Sequence, residues 1–178
     1  SGRFLSAVRS LLHVLDDGQW RIASSKEWSL TPKVAGNLDE LSWLIGDWSA
    51  KTDEGELKVN YAWSQGQAFL QSNYSMWRDG KQVASGMQMI GNNPAGGLTA
   101  WVFDSRGATG LSLWIREDNR WVIEATGTLP DGSRATAMNL LVPIDKDSFT
   151  WQSVQRNVAG TALPDSPPLK VNRTEAGK

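Results

Sequence analysis

The sequence predicts an all-β protein whose main body, residues 46–173, closes into an antiparallel up-and-down barrel of about 8–10 strands around a central cavity. Three observations carry this. Residues 56–64 alternate with period two, placing Leu57, Val59, Tyr61 and Trp63 on one face and Lys58, Asn60 and Ala62 on the other. Turn signals recur at near-regular spacing: Gln65-Gly66, Asp79-Gly80, Asn92-Asn93-Pro94, Ser105-Arg106-Gly107, Asp118-Asn119, Asp131-Gly132 and Asp145-Lys146. No helical pattern interrupts the run, so βαβ units are not expected.

The elements follow in order. Residues 1–28 form an N-terminal β-hairpin, with Asp16-Asp17-Gly18 between two apolar runs as the turn. Phe4, Val8, Leu11, Leu12 and Leu15 also fit helical spacing, so residues 3–10 stay open between helix and strand. Residues 29–45 hold a linker and a short helix of about two turns. Asn37 caps it, Glu40 reaches back, and Leu38, Leu41 and Leu44 share a face up to Gly46. Strands are then expected at 47–52, 56–64, 67–78, 81–91, 98–105, 109–117, 120–128, 133–143, 148–157 and 168–173, with a tail at 174–178. Hairpin-joined strands in such number close on themselves and so remove exposed edges.

Composition sets limits on function. The chain has 178 residues, 40% of them hydrophobic, enough for a real core. Its 18 basic and 19 acidic residues are interspersed and give a net charge of −1, which argues against nucleic acid as a partner. The absence of cysteine excludes disulfides, thiolate metal sites and thiol nucleophiles. No stretch approaches a membrane span. The start Ser1-Gly2-Arg3 reads as a processed or truncated end. The chain is therefore expected to be soluble, either cytoplasmic or exported with its signal removed. Ten tryptophans stand against two tyrosines and four phenylalanines. A Trp-rich core accounts for them, and so does an aromatic-lined pocket.

Two sets of residues carry a resemblance. Gly46-Asp47-Trp48, after a short helix and at the start of the first barrel strand, resembles the Gly-x-Trp element of lipocalins and related calycin barrels. The resemblance implies that Trp48 closes one barrel end with Arg173 packed on its indole face, a structural role. The run from Leu41 to Trp48, with Gln88-Met89-Ile90-Gly91, Trp101-Val102-Phe103-Asp104-Ser105, Trp114, Leu129-Pro130-Asp131-Gly132 and Phe149-Thr150-Trp151-Gln152-Ser153 to Arg156, is similar to the C-terminal barrel of bacterial two-domain SnoaL-like (SgcJ/EcaC-like) proteins. The front hairpin then resembles the end of a SnoaL-like domain. Most of that domain is missing, so its pocket residues have no counterpart. Asn92 also departs from the pattern, standing where an aromatic residue is expected.

Little in the sequence suggests catalysis. His13 is the single histidine, lies outside the barrel and has no Asp or Ser partner at motif spacing; one histidine in the front hairpin also separates the chain from nitrobindin-like barrels, which need a proximal His. Asp53-Glu54-Gly55-Glu56 lacks EF-hand spacing and reads as a hairpin tip. Asn92 to Gly97 is Gly-rich, but no helix follows to make it a phosphate loop. Asp104 is either a turn-forming residue or a buried acid. Gln88, Asn139 and Arg156 are polar residues within strands. If inward they orient a ligand, if outward they are surface, and a one-residue change of register decides.

The first functional reading is a non-catalytic barrel that binds a small, partly apolar or aromatic molecule without cofactor or metal. Tyr61, Trp63, Trp101, Phe103, Trp114 and Trp151 would line the interior, with polar contacts from Gln88, Asn139 and Ser153. The second is an accessory or assembly domain that packs on a SnoaL-like partner or on copies of itself. The third is an enzyme using Asp104 or Arg156.

Overall fold

The computed structural model describes residues 6–16, 19–30 and 36–174. The chain divides into two compact units, Ser1–Lys33 and Val34–Lys178. The first contains β1 (Ser6–Asp16) and β2 (Gln19–Leu30), paired antiparallel with a register shift between Leu12 and His13. Strand therefore occupies the run in which helical spacing competed. The second strand continues to Leu30, past the expected start of the linker. Phe4 and the Asp17-Gly18 turn lie outside the described residues.

The second unit opens with a 3-10 helix, Leu38–Leu44. Its capping box forms as the sequence implies: the Glu40 N–H donates to Asn37 Oδ1 (3.3 Å) and the Asn37 N–H to Glu40 Oε1 (3.1 Å). The Leu38 N–H finds a further acceptor in Asn92 Oδ1 (3.1 Å), which gives the unexpected Asn92 a structural purpose. The three-residue turn of this helix aligns Leu38, Leu41 and Leu44, all buried, on one side. The helix stops at Leu44 with Ile45 as its cap, so Gly46 is not its terminator. Gly46 instead opens the next strand at φ +118°, where a Cβ would lie 3.0 Å from Arg173 Nη1.

The strands are β3 (Gly46–Thr52), β4 (Gly55–Trp63), β5 (Leu70–Arg78), β6 (Lys81–Asn92), β7 (Leu98–Asp104), β8 (Thr109–Glu117), β9 (Arg120–Thr128), β10 (Arg134–Asp145), β11 (Ser148–Val158), β12 (Thr161–Leu163) and β13 (Leu169–Arg173). Neighbours from β3 to β11 pair antiparallel in chain order. β13 inserts between β11 and β3, which completes the ring. Of the 11 strands in the sheet, only β12 lies outside the ring, as a flank on β11, so a closed ten-stranded barrel remains. The expected strands are present, with β12 and a short 3-10 turn at Gln65–Gln67 as additions.

The helix lies at the barrel end formed by the start of β3 and the ends of β6 and β13, where the core is solid. Trp43, Trp48 and Phe149 meet edge to face there, with centroids 4.9–5.9 Å apart. Trp114 contacts Trp121 (6.2 Å) and Trp151 (6.5 Å) in a second cluster. Trp48 Nε1 donates to the Leu44 carbonyl (2.6 Å) and Trp114 Nε1 to Ser112 Oγ (3.1 Å). Among the described residues, Trp121 Nε1 is buried without a partner. Among the described residues, most of the indoles thus build the core or pack against it.

Candidate ligand-binding cavity

Away from the helix the barrel is hollow. A cavity of about 530 Å³ occupies the half of the ring where β7, β9 and β11 end. Small inward residues create it: Gly110 and Ser112 on β8, Ala125 and Gly127 on β9, Ala135 and Ala137 on β10. Large side chains at the same inward positions nearer the helix, such as Trp114, Ile123 and Leu141, fill the core. The opposite wall carries Leu57, Val59 and Tyr61 from β4, as the period-two pattern predicts.

The sequence-predicted site residues divide by position. Tyr61, Gln88, Asn139 and Trp151 all face the cavity. Trp114 is fully buried in the aromatic core, and Trp63 is half-buried against the core cluster. Ser153 pairs across from Asn139, gives its N–H to Ser166 Oγ (2.9 Å) and is not among the residues that line the cavity.

Trp101 and Phe103 correct the expected inward set: they are 42% and 51% exposed on the outer face of β7. The register explains it. Ile90, Ala100 and Ser112 are cross-strand partners and all buried, so they form one inward row, and Trp101 must point the other way with its partners Met89 and Leu111. Ala100 is small because its row adjoins the large inward indole of Trp114, whose strand partner is Leu98.

Arg156, whose direction the sequence leaves open, lines the cavity together with Gln88 and Asn139. A β-bulge decides this. Val154 pairs with Met138 and Asn157 with Thr136, so Gln155 and Arg156 together oppose the single Ala137. Before the bulge Phe149 and Trp151 face inward, and after it Arg156 and Val158 do. Gln155 takes the left-handed φ of +50° that the bulge requires. Its N–H donates to Asp165 Oδ1 (2.8 Å), and Arg156 Nη1 donates to the Pro164 carbonyl (3.1 Å). Sequence patterning missed the bulge, but the alternating small residues Ala125–Gly127 and Ala135–Ala137 were a readable sign of empty interior.

Electrostatics differ between wall and rim. Burial pushes the Tyr61 hydroxyl up to about 12 against the opposing Ser72 hydrogen bond, so it stays protonated and can donate. At the rim, Asp104 accepts from the Tyr74 hydroxyl (2.9 Å) and from Arg106 Nε (2.9 Å), Nη2 (3.1 Å) and backbone N–H (2.8 Å). Hydrogen bonds from the Arg106 side chain, foremost, hold its carboxyl at about 2. Tyr74 is raised to about 12, first by burial and then by Asp104. Gly86 leaves room for this contact, since a Cβ there would overlap the Tyr74 hydroxyl. A carboxylate so fully engaged locks the rim, and it is not poised to exchange protons near neutral pH.

Among the described residues no three His, Asp or Glu side chains gather as metal ligands, and Glu56 of the acidic tip lies 3.7 and 3.5 Å from Lys51 and Lys58. A larger hollow of about 1040 Å³ lies on the outer side of β3–β7, with Lys58, Asn60, Asn73 and Ser75 in its lining. It is more open and its lining is less apolar than that of the interior, so the interior is the better candidate site. No helix among the described residues is long and apolar enough to cross a membrane.

No protein-family model matches the chain. No curated protein matches it. Among solved structures the chain is similar to Rv2717c from M. tuberculosis, with a TM-score of 0.57 and 19% identity over 80% of this chain and 100% of that one. At that identity the likeness concerns the barrel fold alone.

Proposed function

We propose that the barrel binds a small, partly apolar molecule inside its cavity and does not act on it chemically. One observation carries the reading: a hollow of about 530 Å³ persists inside a barrel whose other half is packed solid. A volume of that order suits a small organic ligand. Apolar walls from Leu57, Val59 and Trp151 supply burial, while the Gln88 and Asn139 amides supply orientation. The test is native mass spectrometry of the purified protein, followed by the same sample denatured. A mass surplus that vanishes on denaturation is expected. Repeated preparations without any surplus, together with no binding in a screen of small aromatic compounds, would overturn the reading.

A second reading has its own observation. Trp101, Phe103 and Leu111 lie exposed on the outer surface of β7 and β8, where Trp101 and Leu111 are cross-strand partners. Such a stripe favours the accessory role, with the barrel packing on a SnoaL-like partner or on a second copy. Light scattering at high protein concentration tests self-association, and a strict monomer would count against that form of it.

A further inference from the structure

We propose that Arg156 anchors a carboxylate, so that the cavity's ligand is an amphipathic monoacid with its acid group at Arg156 and its apolar body reaching inward to Trp151 and Tyr61. The inference rests on the binding reading above and names the ligand class.

Three observations converge on Arg156. Among the described residues lining the cavity it is the only charged one. It is half-buried, and among the described residues no carboxylate lies within 4.0 Å of it. A half-buried guanidinium without a counter-charge is a ready partner for an anion, and an anion in the cavity would complete it.

The local backbone is shaped to present this side chain. In regular alternation Arg156 would share the outer face with Gln152 and Val154. The bulge turns it inward at the expense of a left-handed Gln155. Residues 164–166 hold that geometry in place. Asp165 accepts from the Gln155 N–H, Ser166 accepts from the Ser153 N–H (2.9 Å) and from Gln152 Nε2 (3.0 Å), and Pro164 accepts from Arg156 itself. The Pro164 bond uses Nη1 alone. The Nε–Nη2 edge has no acceptor among the described residues, and that edge is the planar fork that pairs with both oxygens of a carboxylate. A single lining cation suits a monoanion, and a phosphate dianion would remain half-compensated. The amides that share the cavity lining, Gln88, Asn139 and Asn157, are neutral and would not compete for the ligand's carboxylate as a second cation would.

The experiment is calorimetric titration of the full chain with 2-naphthoate and its neutral isostere 2-naphthamide. The wild type is expected to prefer the acid by roughly tenfold to a hundredfold, the range for a hydrogen-bonded charge. Arg156→Gln is expected to keep amide binding and lose the preference. Arg156→Lys, which keeps the charge and loses the fork, is expected to retain only a small part of it. Equal affinity for the two probes in the wild type overturns the anchor while leaving the binding reading intact, and this comparison needs no variant to fold. A preference that survives in Arg156→Gln also overturns it. Failure of the wild type to bind either probe also overturns the anchor, while the binding reading stands or falls by the mass surplus of the purified protein.

Discussion

The guanidinium of Arg173 lies 4.2 Å from the Trp48 ring and donates to the carbonyls of Ile45 (2.7 Å) and Trp43 (2.7 Å). One side chain thus ties the last strand of the ring to the segment that enters its first. The β-ladder contributes little at this seam, where β13 and β3 share only the pairs Asn172–Ser49 and Arg173–Trp48.

Trp48→Ala should therefore lower stability by about 3–5 kcal/mol, the range for removing a large buried aromatic. Arg173→Lys keeps the charge over the ring and loses the fork, and should cost about 1–3 kcal/mol. Urea unfolding monitored by circular dichroism measures both. A Trp48→Ala protein that melts like its parent would remove this contact as the closure of the barrel.

Asp104 sets an acid limb. Its carboxyl is held at about 2, below the ordinary value of 3.8, so its contribution is present above pH 4 and lost as pH falls toward 2. Asp104→Asn should be less stable than the wild type at pH 6 and converge with it near pH 2. Unfolding midpoints across that range test the sign, and parallel curves would show that Asp104 is not the group responsible.

Two glycines of one ladder pair should respond in opposite directions. Gly110 and Gly127 are cross-strand partners. A Cβ at Gly110 would meet Thr126 O at 3.4 Å and Val102 Cβ at 3.6 Å, ordinary contacts. Gly110→Ala should stabilise by about 0.4–1 kcal/mol through the unfolded chain. A Cβ at Gly127 would lie 2.9 Å from the Thr109 carbonyl oxygen, so Gly127→Ala should destabilise. Thermal melts of the two variants decide it, and stabilisation by both would show that the strands adjust at Thr109.

Trp114→Ala should cost about 3–5 kcal/mol, because the indole is fully buried. Trp101→Ser, on the outer face, should cost about 1 kcal/mol or less. Equal losses in chemical denaturation would reverse the inward and outward assignment of β7.

Much of the architecture was legible because barrels advertise themselves in simple periodicities. Leu57, Val59 and Tyr61 alternate cleanly, and Asp79-Gly80 is what a tight hairpin needs, with both residues at positive φ. The capping box of Asn37 and Glu40 was equally local. The interior assignment of Trp101 and Phe103 failed because hydrophobicity normally marks the inward face, and β7 places its small Ala100 inward beside an indole from another strand. That choice depends on volumes summed across neighbouring strands, which no single strand records. The direction of Arg156 was illegible for a different reason. An inserted residue in β11 resets the alternation, and Gln155 carries no glycine to announce it.

The closing of the ring by β13 has a consequence for how the chain acquires its shape. Strands from β3 to β11 add by hairpins, each pairing with the one made just before it. β3, however, keeps one edge vacant until residues 172 and 173 arrive. During synthesis at the ribosome the growing sheet is thus an open ribbon with a template edge for most of its production. Barrel closure, with the sealing of the interior, is expected as a late, single event.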